Sequence, residues 1–250
     1  MTYKLKKRWG QHLLIASGII KKLTEFIKIN PGETIVEIGP GTGNLTKELL
    51  KTDLGKLYLI EIDPEMIEIL KRKIKDERVI IIYADATKFD FSSLEEKNLK
   101  LVGNLPYNFA SLIIENTVFY KDYISFAFYM IQKEVAERLI DGKSWLSIFV
   151  QTFYELEYLM SIPPKYFIPQ PKVVSAFIRF KRKDYYEITN LKEYKQFLIR
   201  LFSQKRKMLK HKIDKIYLEN LNISEKKRVE ELKLKDFLSL YLSFRNETQK

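Results

Sequence analysis

At 250 residues the chain can bury a substantial core in one or two domains, and its 46% hydrophobic content is ordinary for a globular protein. Its 44 Lys+Arg against 32 Asp+Glu leave a formal net charge of +12, which points to nucleic acid as the leading partner ahead of a merely solvated basic face. The absence of cysteine excludes disulfides, thiolate catalysis and Cys-based zinc sites. The two histidines, His12 and His211, stand too far apart in sequence to suggest a His-rich metal centre, so no metal is expected. No continuous apolar segment follows the basic start (Lys4, Lys6, Lys7, Arg8), and no apolar run is long enough to span a bilayer. A soluble cytoplasmic protein with no membrane contact is the expectation.

Between about residues 17 and 140, apolar runs alternate with helix-period segments. Helices are predicted at 17–28, 44–51, 64–75, 110–120 and 133–140, and buried strands at 34–38, 57–61, 79–83, 99–103 and 124–131. This alternation predicts an α/β fold, a mostly parallel sheet with helices on both faces and ligands at the carboxyl ends of its strands. After a helix at 145–153, strands at 155–161 and 174–180 flank a loop stiffened by Pro163, Pro164, Pro169 and Pro171. That short connection predicts an antiparallel pair closing the sheet edge. From Leu191 only helical periodicity and Lys-rich faces remain. A boundary near residue 185 therefore separates an α/β domain, 1–185, from a small, basic, all-helical domain, 186–250.

The turn Glu37-Ile38-Gly39-Pro40-Gly41-Thr42-Gly43 closes the first of these strands, and its glycines permit close approach of backbone to a ligand. A dinucleotide fingerprint needs glycine at 39, 41 and 44, but position 44 is Asn, so the pyrophosphate reading fails. The same turn packed against adenosine and an amino-acid moiety suits S-adenosylmethionine. Glu61 ends the next strand, where a carboxylate can accept from both ribose hydroxyls, and Asp85 follows the third, placed to accept from the cofactor's adenine amino group. Each acid alone reads as a solvated loop carboxylate. Successive strand ends carrying all three features read as a nucleoside site.

The fourth strand runs into Asn104-Leu105-Pro106-Tyr107. In isolation this is a strand-ending turn. Downstream of the glycine turn it reads as the site of an enzyme that methylates the exocyclic amine of adenine. The lone pair of that amine is delocalised into the ring; a side-chain amide oxygen and a backbone carbonyl, accepting from its two N–H bonds, return density to nitrogen and fix its aim. Asn104 supplies the first acceptor. Pro106 holds the turn so that a preceding carbonyl faces the base, and Tyr107 stacks on the base or is plain core. No strong general base is needed, and the sequence offers no histidine beside the tetrapeptide. An adenine in a duplex must be flipped or already unpaired to react.

With these residues in place, the chain resembles the ribosomal RNA adenine dimethyltransferases, most closely their small-subunit branch, over nearly its whole length. Arg8-Trp9-Gly10-Gln11-His12-Leu13-Leu14 is similar to the family's Gly-Gln-Asn-Phe-Leu motif. The glycine turn, Glu61, Asp85 and the tetrapeptide follow in family order. Phe167-Ile168-Pro169-Gln170-Pro171-Lys172-Val173-Val174-Ser175 matches a Phe-x-Pro-x-Pro-Lys-Val-x-Ser loop, and Phe202-Ser203-Gln204-Lys205-Arg206-Lys207 resembles a basic helix of the second domain.

The resemblance implies a Rossmann-like S-adenosylmethionine-dependent methyltransferase fold with an antiparallel edge strand as the cofactor-binding catalytic domain, 1–185, and a helical, basic RNA- or ribosome-binding C-terminal domain, 186–250. It also implies a monomer that converts two adjacent adenosines near the 3′ end of small-subunit RNA, in a pre-30S particle, to N6,N6-dimethyladenosines, leaving S-adenosylhomocysteine. By resemblance, Gln11, His12 and Leu14 line the cofactor pocket with Gly39, Gly41, Glu61, Asp85 and Asn104. Asn104, Leu105, Pro106 and Tyr107 hold the target amine, and Phe167 stacks on the opposite face of the base, unless it is core. His12 and Leu13 depart from the motif's Asn and Phe, so an imidazole remakes the amide's contact or sits exposed on the rim. Met208, Lys210 and His211 depart from the second-domain pattern. Three other readings stay open: the antibiotic-resistance branch acting on large-subunit RNA, a DNA adenine methyltransferase, and a ribosome-assembly factor in which catalysis is secondary.

Overall fold

In chain order the elements begin with β1 (Leu13–Leu14), α1 (Ser17–Ile27), β2 (Thr34–Ile38), α2 (Asn44–Leu49), β3 (Lys56–Glu61), α3 (Pro64–Lys73) and β4 (Val79–Tyr83). There follow β5 (Leu99–Asn104), α4 (Ala110–Phe119), β6 (Ile124–Gln132), α5 (Lys133–Ile140), α6 (Trp145–Phe153), β7 (Tyr154–Ile162), β8 (Phe167–Ile168) and β9 (Ser175–Arg182). The chain ends in α7 (Leu191–Phe202), α8 (Lys215–Asn220) and α9 (Leu234–Thr248). This computed structural model describes residues 12–184, 187–204 and 206–248.

The apolar runs become a seven-stranded sheet of order β4-β3-β2-β5-β6-β9-β7. Strands β4 to β6 along this order are parallel, and β9 runs antiparallel to β6, from Phe126↔Lys181 to Gln132↔Ser175. Thus β9 lies inside β7 in the sheet, between it and β6. Burial explains the composition: β2, β3 and β5 are almost wholly buried, as in a sheet covered on both faces, whereas edge strand β4 exposes Ile80 and Tyr83. The chain order reverses between β2 and β5, which opens a crevice at their carboxyl ends. Gly103 is required there. It pairs with Ile38, and a Cβ on it would lie 2.8 Å from the Ile38 carbonyl oxygen and wedge the two strands apart.

Helix α1 buries Ile20, Leu23 and Ile27, one stripe at helical spacing. Asp63 caps α3 by accepting from the Glu65 N–H at 3.1 Å, Pro64 starts the helix, and Lys71, Arg72 and Lys73 face its negative end. A second, two-stranded sheet was not foreseen: β1 pairs antiparallel with β8, Leu13 opposite Ile168 and Leu14 opposite Phe167. It ties the start of the described chain to the proline-rich loop.

Two compact units emerge, and they divide the chain differently from a single cut near residue 185. Residues 12–136 with Glu155–Arg182 form the sheet unit, while Glu137–Tyr154 joins the described part of Lys183–Lys250 in a helical unit. The physical reason lies in α6, which is buried on nearly every side and packs on α7 and α9. Its Phe149 and Phe153 meet Tyr194 at 6.2 and 6.3 Å between ring centroids, Tyr194 meets Tyr241 at 4.9 Å, and the Thr152 and Tyr194 hydroxyls lie 2.9 Å apart.

Candidate active site

The loop after β2 turns sharply because Gly39, Gly41 and Gly43 all take left-handed φ values of 65°, 56° and 81°. Gly41 is also crowded, since a Cβ there would stand 2.7 Å from Leu13 Cδ2. Its N–H donates to Glu61 Oε2 at 3.1 Å, while Glu61 Oε1 accepts from the Ile62 and Asp63 N–H groups, each at 2.9 Å. Burial pushes the Glu61 carboxyl above the usual carboxylate range and the Asp63 charge adds to this, against the three backbone donors. A carboxylate offers about four lone-pair sites, so these three bonds leave room for a ligand hydroxyl. Behind it, Glu37 accepts from the Thr46 hydroxyl at 2.6 Å. Burial pushes the Glu37 carboxyl up to about 8, with the Thr46 hydrogen bond opposing and the Glu61 charge adding. Asp85 Oδ1 accepts from the Thr87 N–H at 2.9 Å and hydroxyl at 2.7 Å, and its Oδ2 takes no hydrogen bond from the described residues.

At the end of β5, Asn104 Nδ2 donates to the His12 carbonyl. That oxygen can only accept, so the bond orients the amide and leaves Asn104 Oδ1 as an acceptor without a partner among the described residues. Leu105 is buried, its N–H donating to Met130 at 3.0 Å, and the Pro106 carbonyl accepts from the Phe109 N–H at 2.9 Å. The Tyr107 hydroxyl lies 2.7 Å from Ser175 Oγ, and the Tyr107 ring stacks on His12 with centroids 5.3 Å apart and planes at 28°. Burial raises the Tyr107 pKa, against the Ser175 hydrogen bond. His12 Nδ1 donates to the Pro169 carbonyl at 2.7 Å, an oxygen that itself only accepts.

One cleft gathers His12, Gly39, Gly41, Glu61, Asp85 and the whole tetrapeptide from Asn104 to Tyr107. Gln11 lies outside the described residues. Three expectations are corrected. Leu14 does not line the cleft: it is buried in the core and its carbonyl accepts from Asn44 at 2.8 Å, while its neighbour Leu13 faces the cleft, as alternation along a strand requires. Phe167 is 1% exposed within the hydrophobic core, so its ring offers no face to a base; Ile168, the next residue of β8, is the exposed one. A histidine does stand beside the tetrapeptide, because β1 carries His12 onto Tyr107.

Residues that sequence reasoning missed are mostly the apolar walls, Ile38, Ile62, Phe109 and Ile113, together with Thr87. Ile62 directly follows Glu61 and Thr87 lies two residues beyond Asp85, and that proximity was the available signal. Together these walls form an apolar slot with one lone-pair direction on Glu61 and Oδ2 of Asp85 as acceptors, which fits a nucleoside better than a pyrophosphate. Among the described residues, no cluster of three His, Asp or Glu side chains is placed to hold a metal.

A sheet whose order reverses beside such a glycine turn, with one late strand reversed, is the fold of the S-adenosylmethionine-dependent methyltransferases. Residues 2–246 match the model of the family described as ribosomal RNA adenine dimethylase. A ribosomal RNA small subunit methyltransferase A from Persephonella marina is 45% identical, the match covering 96% of this chain and 94% of that protein. The protein of the same name from a Sulfurihydrogenibium species is 43% identical, covering 95% of each. Among solved structures, a dimethyladenosine transferase from Plasmodium falciparum superposes with a TM-score of 0.82 at 28% identity, covering 95% of this chain and 98% of that one. The chain belongs to the ribosomal RNA adenine dimethylase family and is a methyltransferase.

Proposed function

We propose that this enzyme transfers methyl groups from S-adenosylmethionine to N6 of two adjacent adenosines near the 3′ end of small-subunit ribosomal RNA. Each becomes N6,N6-dimethyladenosine, on a pre-30S particle in the cytoplasm during ribosome biogenesis. The observation that carries this reading is the orientation of Asn104: its amide nitrogen donates to the His12 carbonyl, which turns its oxygen toward the cleft as an acceptor for an amine.

When bound, S-adenosylmethionine supplies a methyl group made electrophilic by its sulfonium. The chain's own residues then bind and aim. Glu61 would accept from a ribose hydroxyl of the donor with its remaining lone pair, Asp85 Oδ2 would accept from the adenine amino group, and Ile38, Ile62 and Ile113 would exclude water around the ring. Asn104 Oδ1 takes one hydrogen of the target amine. The carbonyl of Leu105, which precedes the proline, takes the second, while the Pro106 carbonyl accepts from the Phe109 N–H. With both hydrogens held, the nitrogen lone pair is aimed at the donor. Tyr107, with His12 on one face, stacks the target base on the other. His12 Nδ1 is engaged by Pro169, and the proton of the methylated nitrogen, acidified by the transfer, leaves to water.

The test is incubation of the enzyme with labelled donor and separated ribosomal subunits, followed by mapping of the product nucleotides. Label in paired dimethyladenosines of the small subunit is expected. Label confined to large-subunit RNA or duplex DNA overturns the reading.

A further inference from the structure

The helical unit holds a second cavity, between α7, the single 3-10 turn at Leu209–His211, α8 and α9. Phe197, Tyr217 and Phe244 form aromatic walls and are only partly buried. The Phe197 and Phe244 centroids lie 6.1 Å apart with planes at 32°, and those of Tyr217 and Phe244 lie 6.5 Å apart at 56°. The rim is cationic. Arg200 and Lys212 line it beside His211, with Asp214 as the acid among the described lining residues.

No carboxylate pairs with Arg200 or Lys212 among the described residues. Arg200 is exposed, and neither its guanidinium nor the Lys207 ammonium makes a hydrogen bond or ion pair among the described residues. The Lys212 ammonium donates to the Leu201 carbonyl, and burial together with the neighbouring Lys207 charge hold it below the ordinary lysine range. A partly desolvated cation beside a like charge costs free energy that a bound anion would relieve. Partly exposed aromatic faces beside such cations are the combination that takes a base and its phosphate together. An acidic peptide would use the cations and leave the rings unused.

We propose that this cavity binds one unpaired nucleotide of the RNA substrate, its base against Tyr217 and Phe244 and its phosphate on Arg200 and Lys212. The proposal rests on the RNA-modifying function given above and adds a point of RNA attachment apart from the catalytic cleft.

The full-length enzyme is titrated with a fluorescent single-stranded RNA hexamer over a range of salt, alongside a hexamer of abasic nucleotides that keeps the phosphates alone. Tyr217→Ala weakens hexamer binding by roughly fivefold to a hundredfold without changing the salt slope, and Tyr217→Phe restores it. Arg200→Gln, an exposed substitution, flattens the log–log salt slope by about 0.7. The wild type prefers the hexamer with bases, and Tyr217→Ala reduces that preference, leaving only what the catalytic cleft contributes. Equal binding of both hexamers by the wild type, or a base preference untouched by Tyr217→Ala, overturns the proposal, as does an unchanged salt slope in Arg200→Gln. Small-subunit methylation by the wild type is measured in parallel. If it is present while the variants bind normally, only the cavity assignment fails; if it is absent, the functional reading fails and the hexamer titrations still decide the cavity.

Discussion

The hydroxyl of Tyr107 lies 2.7 Å from Oγ of Ser175, which fastens the ring of the tetrapeptide to the first residue of β9. Ser175 is fully buried, so either hydroxyl left alone there is an unpaired polar group costing about 1–3 kcal/mol. Ser175→Ala and Tyr107→Phe are each expected to slow single-turnover methylation by roughly fivefold to a hundredfold. The double variant should be less impaired than the sum, because no orphan hydroxyl remains. A double-variant cycle on turnover and melting temperature checks this, and strictly additive losses would show that the pair is not coupled.

Asn104→Ala removes the side-chain acceptor and the bond to the His12 carbonyl, yet leaves Glu61 and Asp85 in place. Transfer should fall by at least about a hundredfold, the scale of losing a pre-aimed contact at the reacting atom, while calorimetry still detects donor binding. Asn104→Asp should also fail, since its carboxylate would face the His12 carbonyl without a donor. Near-normal turnover in either variant would sink the role given to this residue.

Phe167 belongs to the core, which changes what its replacement does. Phe167→Ala is expected to cost about 3–5 kcal/mol of stability and Phe167→Leu less, through the cavity left behind. Below the melting transition, methylation of saturating RNA should stay within severalfold of wild type. Denaturant melts and single-turnover assays separate the two effects. A large loss of transfer at unchanged stability would restore a stacking role.

Glu37 makes stability depend on pH. Its folded pKa, about 8, exceeds the ordinary carboxyl value of 4.5, so the folded state holds a proton that the unfolded chain has released. Stability therefore falls as pH rises through the window from 4.5 to about 8 and levels off above it. The slope contributed approaches ~1.4 kcal/mol per pH unit in mid-window. Glu37→Gln removes that contribution, and urea unfolding at several pH values should give a flatter profile for the variant. The same slope in both proteins would place the titration elsewhere.

Much of the fold was legible because strands buried on both faces must be continuously apolar; 34–38, 57–61 and 99–103 could be read on that ground alone. The glycine turn, Glu61, Asp85 and Asn104 were legible for a related reason: left-handed backbone and acceptors at strand ends leave few residue choices. Tertiary structure alone decided the rest. A two-residue strand has no period to read, so nothing local told which of Leu13 and Leu14, or of Phe167 and Ile168, faces inward until β1 met β8. Helix α6 looks like any helix between strands, and only the aromatic faces of α7 and α9 draw it into the other unit. His12 reaches Tyr107 and Pro169, the latter 157 residues away, because pairing of distant backbone segments places it there. Short-range pattern records how much of a segment is buried, whereas the partner that buries it is chosen by packing across the whole chain.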